Sequence, residues 1–364
     1  MRRSTSQLHP PPSATAPHTD PSTCTQTPTQ THTTANLSRR QWLGWGLGCA
    51  LLGSARQPAL AETAGHWPQR PITLIVPWPA GGQTDLTIRI LADEAEKHLG
   101  QPVVVINKPG VAGTQVAPAL KMAEPDGYTI GQVPITVYRY ALMHSVQWDP
   151  VTDFSPILQV SGVSFGVLVP ANSPWKSWAD LVDWAKKHPG ELILGSTGVG
   201  TTAHLATEEL LRQHGVRYVH VPYKGTADQM LAVASGLIMA GVNSSGFAPW
   251  VDQGKIRILA LFSAERSPRW PEVPTMRELG YPQAVYTSPW GLAAPSGTPP
   301  DIIAKLHDAF RQATFSPRHK EALERFDQSI NYLNTADYRA AVLKTVEHER
   351  QLLSRMNLLA KPAQ

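Results

Sequence analysis

The chain has 364 residues, 42% of them hydrophobic, with 32 Lys and Arg against 28 Asp and Glu. Five arginines and one aspartate fall in the first 61 residues, so the remainder balances 27 basic against 27 acidic side chains and offers no electrostatic ground for binding nucleic acid or a membrane surface. Both cysteines, Cys24 and Cys49, also fall there, which excludes a disulfide framework and thiolate chemistry from the rest, about 300 residues and ample for two α/β domains.

Residues 1–37 are rich in Thr, Ser, Pro and Gln and nearly bare of large apolar side chains. Such a stretch buries too little to offset the entropy of ordering, so a disordered leader is expected. Residues 38–61 place Arg39 and Arg40 before an apolar run from Trp42 to Leu52 and end in Ala59-Leu60-Ala61. Paired arginines, a short apolar run and an A-x-A site mark a twin-arginine export signal. The run is too short to span a bilayer. Cleavage near Ala61 and a periplasmic mature chain are therefore expected.

The run ITLIV (72–76) predicts a strand, stopped by Pro77, Pro79, Gly81 and Gly82. The helix after it carries Leu86, Ile90 and Leu91 near helical spacing. PVVVIN (102–107) reads as a second buried strand, VAPALKM as a helix closed by Pro125-Asp126-Gly127, and TIGQVP as a third strand. This β-α-β-α-β order predicts a parallel sheet with helices on its faces. Residues 154–170 change character and read as a crossover between lobes. Beyond them a helix ends at His188-Pro189-Gly190. ELILG, a helix from Thr201 to His214, VRYVHVPY, a helix from Thr226 to Ser235, LIMAGVN and KIRILALFS then repeat the alternation. After YTSPWGLAAPSGTP the chain reads as largely helical to its end.

Two of these segments share one design. ITLIVPWPAGGQTDLTIRILADEAEKHLG (72–100) and ELILGSTGVGTTAHLATEELLRQHG (191–215) each run from an apolar strand through a glycine-rich turn into a helix. Such a turn presents free N–H groups at a helix start, where the macrodipole favours negative charge. Two anion seats in two halves of one chain predict a cleft for a small organic anion.

Several motifs together resemble one family. VPWPAGGQTDLTIR, NKPGVAGTQVA with PDGYTI, GSTGVGTTAHL, VPYKGTADQML, RILALFSAERSPRWPEVPTMRELGY and WGLAAPSGTPP occur in order from about Trp67 to the C-terminus. They resemble the Bug-type receptors, the solute-binding proteins of tripartite tricarboxylate transporters. The resemblance implies an α/β periplasmic-binding-protein fold of the type II, Venus flytrap kind, with two parallel-sheet lobes and a C-terminal helical return. Lobe 1 would take 67–163 and 288–364, and lobe 2 would take 164–287. It implies a receptor rather than an enzyme, without metal or cofactor, acting as a monomer. Its partners would be a small carboxylate held between the lobes and the subunits of a membrane permease. A ligand-loaded receptor for a membrane sensor kinase is the alternative output. The chain departs from the family pattern at Ala80, where Pro is frequent, at Ala112 and Val116, where Gly is frequent, and at Met239 and Asn243, where Asp is frequent.

The residues suggest how an anion would be held. Gly81 and Gly82 allow a tight turn and close backbone approach. Their N–H groups, with those of Ala80, Gln83 and Thr84 and the Thr84 hydroxyl, would supply charge-assisted bonds. Asp85 reads as a first-turn carboxylate facing the dipole, or as the receiver of a ligand ammonium or hydroxyl. From the other half, Ser196, Thr197, Gly198, Thr201 and Thr202 would contribute hydroxyls and N–H groups. His204 is either a ligand donor or a packed histidine, and Tyr223 and Lys224 could reach the cleft mouth, where a solvated lysine is the commoner outcome. Asn243 and Ser244 end a strand, where α/β proteins commonly bind ligands. Trp78 would be an apolar wall or a core residue, whereas Trp175, Trp178 and Trp184 sit at helical spacing and read as packing.

Enzymatic readings are weaker. GVGTTA (198–203) fits G-x-G-x-x-A, but the strand after it ends in Tyr223 without the acid a dinucleotide site needs. No G-x-S-x-G elbow occurs, and His204 with Glu208 lacks a third metal ligand in any recognised spacing.

Overall fold

A computed structural model describes residues 67–360; the expected leader and export signal lie outside them. The chain begins with strand β1 (Ile72–Val76), a continuous apolar run of the kind that survives only when both faces are covered. Helix α1 (Gln83–Leu99) starts at Gly82 and stops at Gly100, whose φ of 69° is the left-handed geometry that glycine adopts without a Cβ penalty. Its buried face is Ile88, Leu91, Ala92 and Ala95, while Leu86 stays partly exposed. Full burial of a side chain such as Ile88 or Leu91 contributes about 1.5–3 kcal/mol. Strand β2 (Val103–Asn107), helix α2 (Val116–Lys121) and strand β3 (Thr129–Pro134) follow. Helix α3 (Ile135–Met143) starts directly from the end of β3.

Strand β4 (Phe154–Pro170) is 17 residues long. Beyond it come α4 (Trp178–Lys187), β5 (Leu192–Ser196), α5 (Thr202–Gln213), β6 (Tyr218–Pro222), α6 (Thr226–Ala234) and β7 (Ala240–Ser244). Helix α7 (Ala248–Asp252) and strand β8 (Ile256–Leu261) complete this half. The chain returns through β9 (Thr287–Pro295), α8 (Pro300–Thr314), α9 (Pro317–Glu324), β10 (Ser329–Leu333) and α10 (Thr335–Arg355).

The strands lie in the order β2-β1-β3-β9-β4-β7-β5-β6, with β8 and β10 also pairing with β4. Each half holds three parallel strands, β2-β1-β3 and β6-β5-β7. The sheets are nevertheless mixed, because β9 runs antiparallel to β3, and β4 antiparallel to β7, β8, β9 and β10. The expected two-lobe α/β fold is present, and what reads as a crossover at 154–170 is the strand common to both lobes. Its first part, Phe154–Ser164, pairs with β9, and its last part, Phe165–Pro170, pairs with β7 and β8. The C-terminal stretch is likewise not wholly helical: β10 adds to the first lobe.

Each half has its own core. Ile72, Leu74, Ile88, Leu91, Leu306 and Phe310 pack in the first, and Val167, Trp178, Leu181, Leu192, Leu210 and Phe262 in the second. Trp175 and Trp178 belong to the second core, with Trp184 packed against it, as their spacing predicts. Leu352 and Leu353 at the end of α10 reach Leu205 of α5, tying the C-terminus to the second lobe. Among the described residues no helix is long and apolar enough to cross a membrane.

Candidate functional site

The C-terminal ends of the parallel strands in both halves face one cleft, which encloses about 110 Å³. One water needs roughly 10–15 Å³ of such space, so the cleft has room for a small metabolite. From the first half the lining includes Trp78, Ala80, Gly82, Gln83 and Thr84; from the second, Thr197, Thr201, Thr202 and Ser244. All nine are residues that the sequence singles out. Trp78 stands with Val163, Phe165 and Trp290 as the apolar part of the wall.

Four helix starts converge here rather than two. Gly82-Gln83-Thr84 open α1, Pro134 and Thr136 open α3, Thr201 and Thr202 open α5, and Gly225-Thr226-Ala227 open α6. The signal for α6 was present in the sequence, since VPYKGT is again a strand, a glycine and a helix start. Side chains cap four helices, Ser177 on α4, Thr201 on α5, Ser316 on α9 and Asn334 on α10, whereas α2, α7 and α8 have no such cap. The starts of α1, α3 and α6 carry none. Their first N–H groups lack intrahelical partners and sit at the positive end of the helix dipole, so the cleft is an electropositive cradle built of backbone. No Lys, Arg or His lines it, and Asp228 is the one ionisable lining side chain among the described residues.

Unpartnered polar atoms reinforce this picture. Gln83 Nε2, Gln132 Oε1 and Thr136 Oγ1 belong to lining residues that are at most 4% exposed, and they have no hydrogen-bond partner among the described residues. A buried polar group left unpaired costs about 1–3 kcal/mol, which a bound polar ligand would recover. The two walls also touch directly. Ser244 Oγ donates to Gln83 Oε1 at 3.3 Å, and a Cβ on Gly225 would stand 2.9 Å from the Pro79 ring.

Seven of the expected residues do not line the cleft, and each has a polar group engaged within the protein. The Gly81 N–H donates to Asp85 Oδ2 at 2.9 Å, and Gly81 takes the positive φ of 79° that the turn requires. Asp85 also accepts from Asn107 at 2.8 Å and pairs with Arg89 at 2.9 Å. Burial pushes its carboxyl up, but the bonds from Arg89, Asn107 and Gly81 outweigh burial and hold it below the usual value. Of its two readings, the first-turn carboxylate is the one seen. Ser196 meets His220 Nε2 at 2.7 Å, and the Gly198 carbonyl accepts from Ser196 and Thr201. His204 accepts from the Gly200 N–H at 3.1 Å and lies against His220 with ring centres 4.3 Å apart and planes tilted by 34°. Burial lowers the basicity of both histidines, and His220 falls to about 4 with the neighbouring His204 adding to the effect. Tyr223 packs its ring beside Gly195, and Lys224 is exposed. Asn243 is fully buried beneath the floor, where it accepts from Ser244 and Thr226.

The lining also holds residues the sequence does not mark, among them Gln132, Pro134 and Thr136 from the β3-to-α3 turn and Ser288 and Trp290 from β9. Residues 132–137 carry no glycine, and β9 contains Pro289 and Gly291, so neither advertises a site.

Residues 87–358 match the model of the tripartite tricarboxylate transporter family receptor. A protein of Cupriavidus necator described only by its place in the gbd 5′ region is 43% identical over 325 residues, covering 88% of this chain and 99% of its own. Among solved structures, MatC of Rhodopseudomonas palustris with bound malate is 26% identical with a TM-score of 0.74, covering 79% of this chain and all of its own. Another R. palustris protein, solved with adipate, is 29% identical with a TM-score of 0.75, covering 79% and 98%.

Proposed function

Because the chain belongs to the tripartite tricarboxylate transporter receptor family, we propose that it is an extracytoplasmic solute-binding receptor. It captures a small organic anion, a carboxylate, between its lobes and presents it to the permease subunits of such a transporter. The observation that carries this reading is the convergence of uncapped helix starts and unpartnered buried side-chain atoms on one cleft without a cationic side chain. Backbone dipoles hold an anion without the conformational cost of ordering long cationic side chains, and they lose no contact geometry when the ligand leaves. The carboxylates present in the malate and adipate complexes support the same ligand class.

On this reading the lobes divide at 163/164, one residue before β4 changes partners, and again at 287/288, one residue into β9. Export and removal of residues 1–61 place the mature chain in the periplasm. Closure desolvates the anion, and each contact strengthens in the lowered dielectric. Isothermal titration of the mature protein with mono- and dicarboxylates of graded length tests the proposal. Saturable binding of at least one carboxylate, and none of the matching neutral amides, is the expected result. Indifference to every carboxylate would overturn it.

A further inference from the structure

Beneath the second-lobe wall of the cleft lies a hydrogen-bond network whose proton directions follow from chemistry alone. Gln229 is fully buried and donates from Nε2 to the carbonyls of Gly195 at 2.8 Å and Val242 at 3.1 Å. A backbone carbonyl can only accept, so the amide has one workable orientation and its Oε1 must itself accept. It does so from Asn243 Nδ2 at 2.7 Å. That fixes Asn243 in turn, with Oδ1 turned toward the cleft wall. Three donors converge on this oxygen: the Ser244 N–H at 2.6 Å, Ser244 Oγ at 3.1 Å and Thr226 Oγ1 at 3.3 Å. The other neighbour of Ser244 Oγ is Gln83 Oε1, again an acceptor.

Both hydroxyls therefore direct their protons into the protein. Thr226 and Ser244 line the cavity and present lone pairs to it, and the exposed Asp228 lines the same wall. Across the cleft stand donors, the helix start of α1 and the unpartnered Gln83 Nε2. The second-lobe wall also offers N–H groups at the starts of α5 and α6, so its acceptor character is local to the Thr226 and Ser244 hydroxyls.

Resting on the carboxylate reading above, we propose that the ligand carries, besides its carboxylate, a hydrogen-bond donor (a hydroxyl or an ammonium) on the part that meets Thr226 and Ser244. Asn243 and Gln83 set this requirement, because Asn243 Oδ1 takes the Thr226 proton and the single Ser244 proton lies between Asn243 Oδ1 and Gln83 Oε1, both acceptors. A second carboxylate or a bare methylene at that position would leave acceptors facing each other or unmet, and a site built around a ligand hydroxyl discriminates against the analogue that lacks it.

The test is titration calorimetry on the mature protein with matched triples that differ in one substituent. These are succinate, malate and aspartate; glutarate, 2-hydroxyglutarate and glutamate; propionate, lactate and alanine. In at least one triple the hydroxyl or ammonium member should bind about tenfold or more tightly than the plain member, on the scale of one hydrogen bond to a buried acceptor. Which of the two wins identifies the donor. The double variant Thr226→Val with Ser244→Ala should bring that ratio close to one. Asn243→Leu, which frees the Thr226 proton and leaves Ser244 only Gln83 Oε1 as an acceptor, should lower it as well. A plain carboxylate that binds as tightly as its donor-bearing partners in every triple overturns the inference while leaving the carboxylate receptor intact. So does a preference that survives the double variant. Failure of all nine compounds to bind counts against both readings together.

Discussion

Arg139 and Glu349 form a bidentate ion pair at 2.5 and 3.0 Å with both side chains 2% exposed. The remaining arm of the guanidinium donates to the Gly200 carbonyl at 3.0 Å and to Thr202 Oγ1 at 3.2 Å. Arg139 belongs to α3 and Glu349 to α10, while Gly200 and Thr202 belong to the second-lobe turn that lines the cleft. A single side chain thus fixes the start of α5 against two helices of the other half.

Removing one partner leaves an uncompensated buried charge. Arg139→Met should cost about 3–5 kcal/mol of unfolding free energy in urea titration. The double replacement Arg139→Met with Glu349→Leu should recover most of that loss, since an apolar pair of similar volume substitutes well for a buried ion pair. A double variant as unstable as the single one would show that the pair is needed for more than charge balance.

Gly225 lies against Pro79 across the cleft, with φ of −169°, extended backbone that any residue adopts. Gly225→Val should therefore fold normally but hold the walls apart, because the added Cβ would meet the stiff proline ring at 2.9–3.0 Å. The expected outcome is at least about a tenfold loss of carboxylate affinity, on the scale of one or two lost hydrogen bonds, with the melting temperature of the free protein little changed. Unaltered affinity would place closure elsewhere.

Asp85 gathers three hydrogen bonds at the start of α1. Asp85→Ala removes the acceptor shared by Gly81, Arg89 and Asn107 and should cost about 2–3 kcal/mol, read by chemical denaturation. Its carboxyl lies below the ordinary 3.8, so its contribution is complete above that pH and disappears as pH falls through the lowered value. In Asp85→Asn the acid limb of the stability curve below pH 3.8 should be shallower than in the native chain.

His220 acts in a different window. Its folded value of about 4 lies below the ordinary 6.5, so the unfolded chain binds the proton more readily between those limits. Stability should be undiminished by this group above pH 6.5, decline as pH drops toward 4, and level off beneath. Calorimetric melting at pH 7, 5.5 and 4 should show a smaller decline for His220→Gln than for the native chain. Equal slopes would mean that other groups dominate.

Much of the fold was legible because hydrophobic runs and glycine punctuation agree along most of the chain. The alternation around β1 to β3 and β5 to β7 follows directly from them. What escaped has a physical reason in each instance. Helix α3 begins ITVY, β-branched and aromatic residues with strand preference, and becomes helical because its buried face packs on α10 and β9. Strand β9 contains Pro289, Gly291 and Pro295 and looks like a loop, yet it pairs along both β3 and β4. The site was legible where glycine marks a helix start and illegible where pairing partners decide. Nothing in GGQTD tells that the Gly81 N–H turns inward to Asp85 while Gln83 reaches the other wall. Ser196, His204 and Asn243 are similar: their positions beside the cleft could be read, but not that their polar atoms face the protein.

Strand β4 has one further consequence. Its first eleven residues pair with β9 and its last six with β7 and β8, without a break between. Neither core can lose its central strand and leave the other whole. Heating should therefore melt the molecule in one calorimetric peak, with measured and van't Hoff enthalpies in agreement, where two beads on a flexible string would give two.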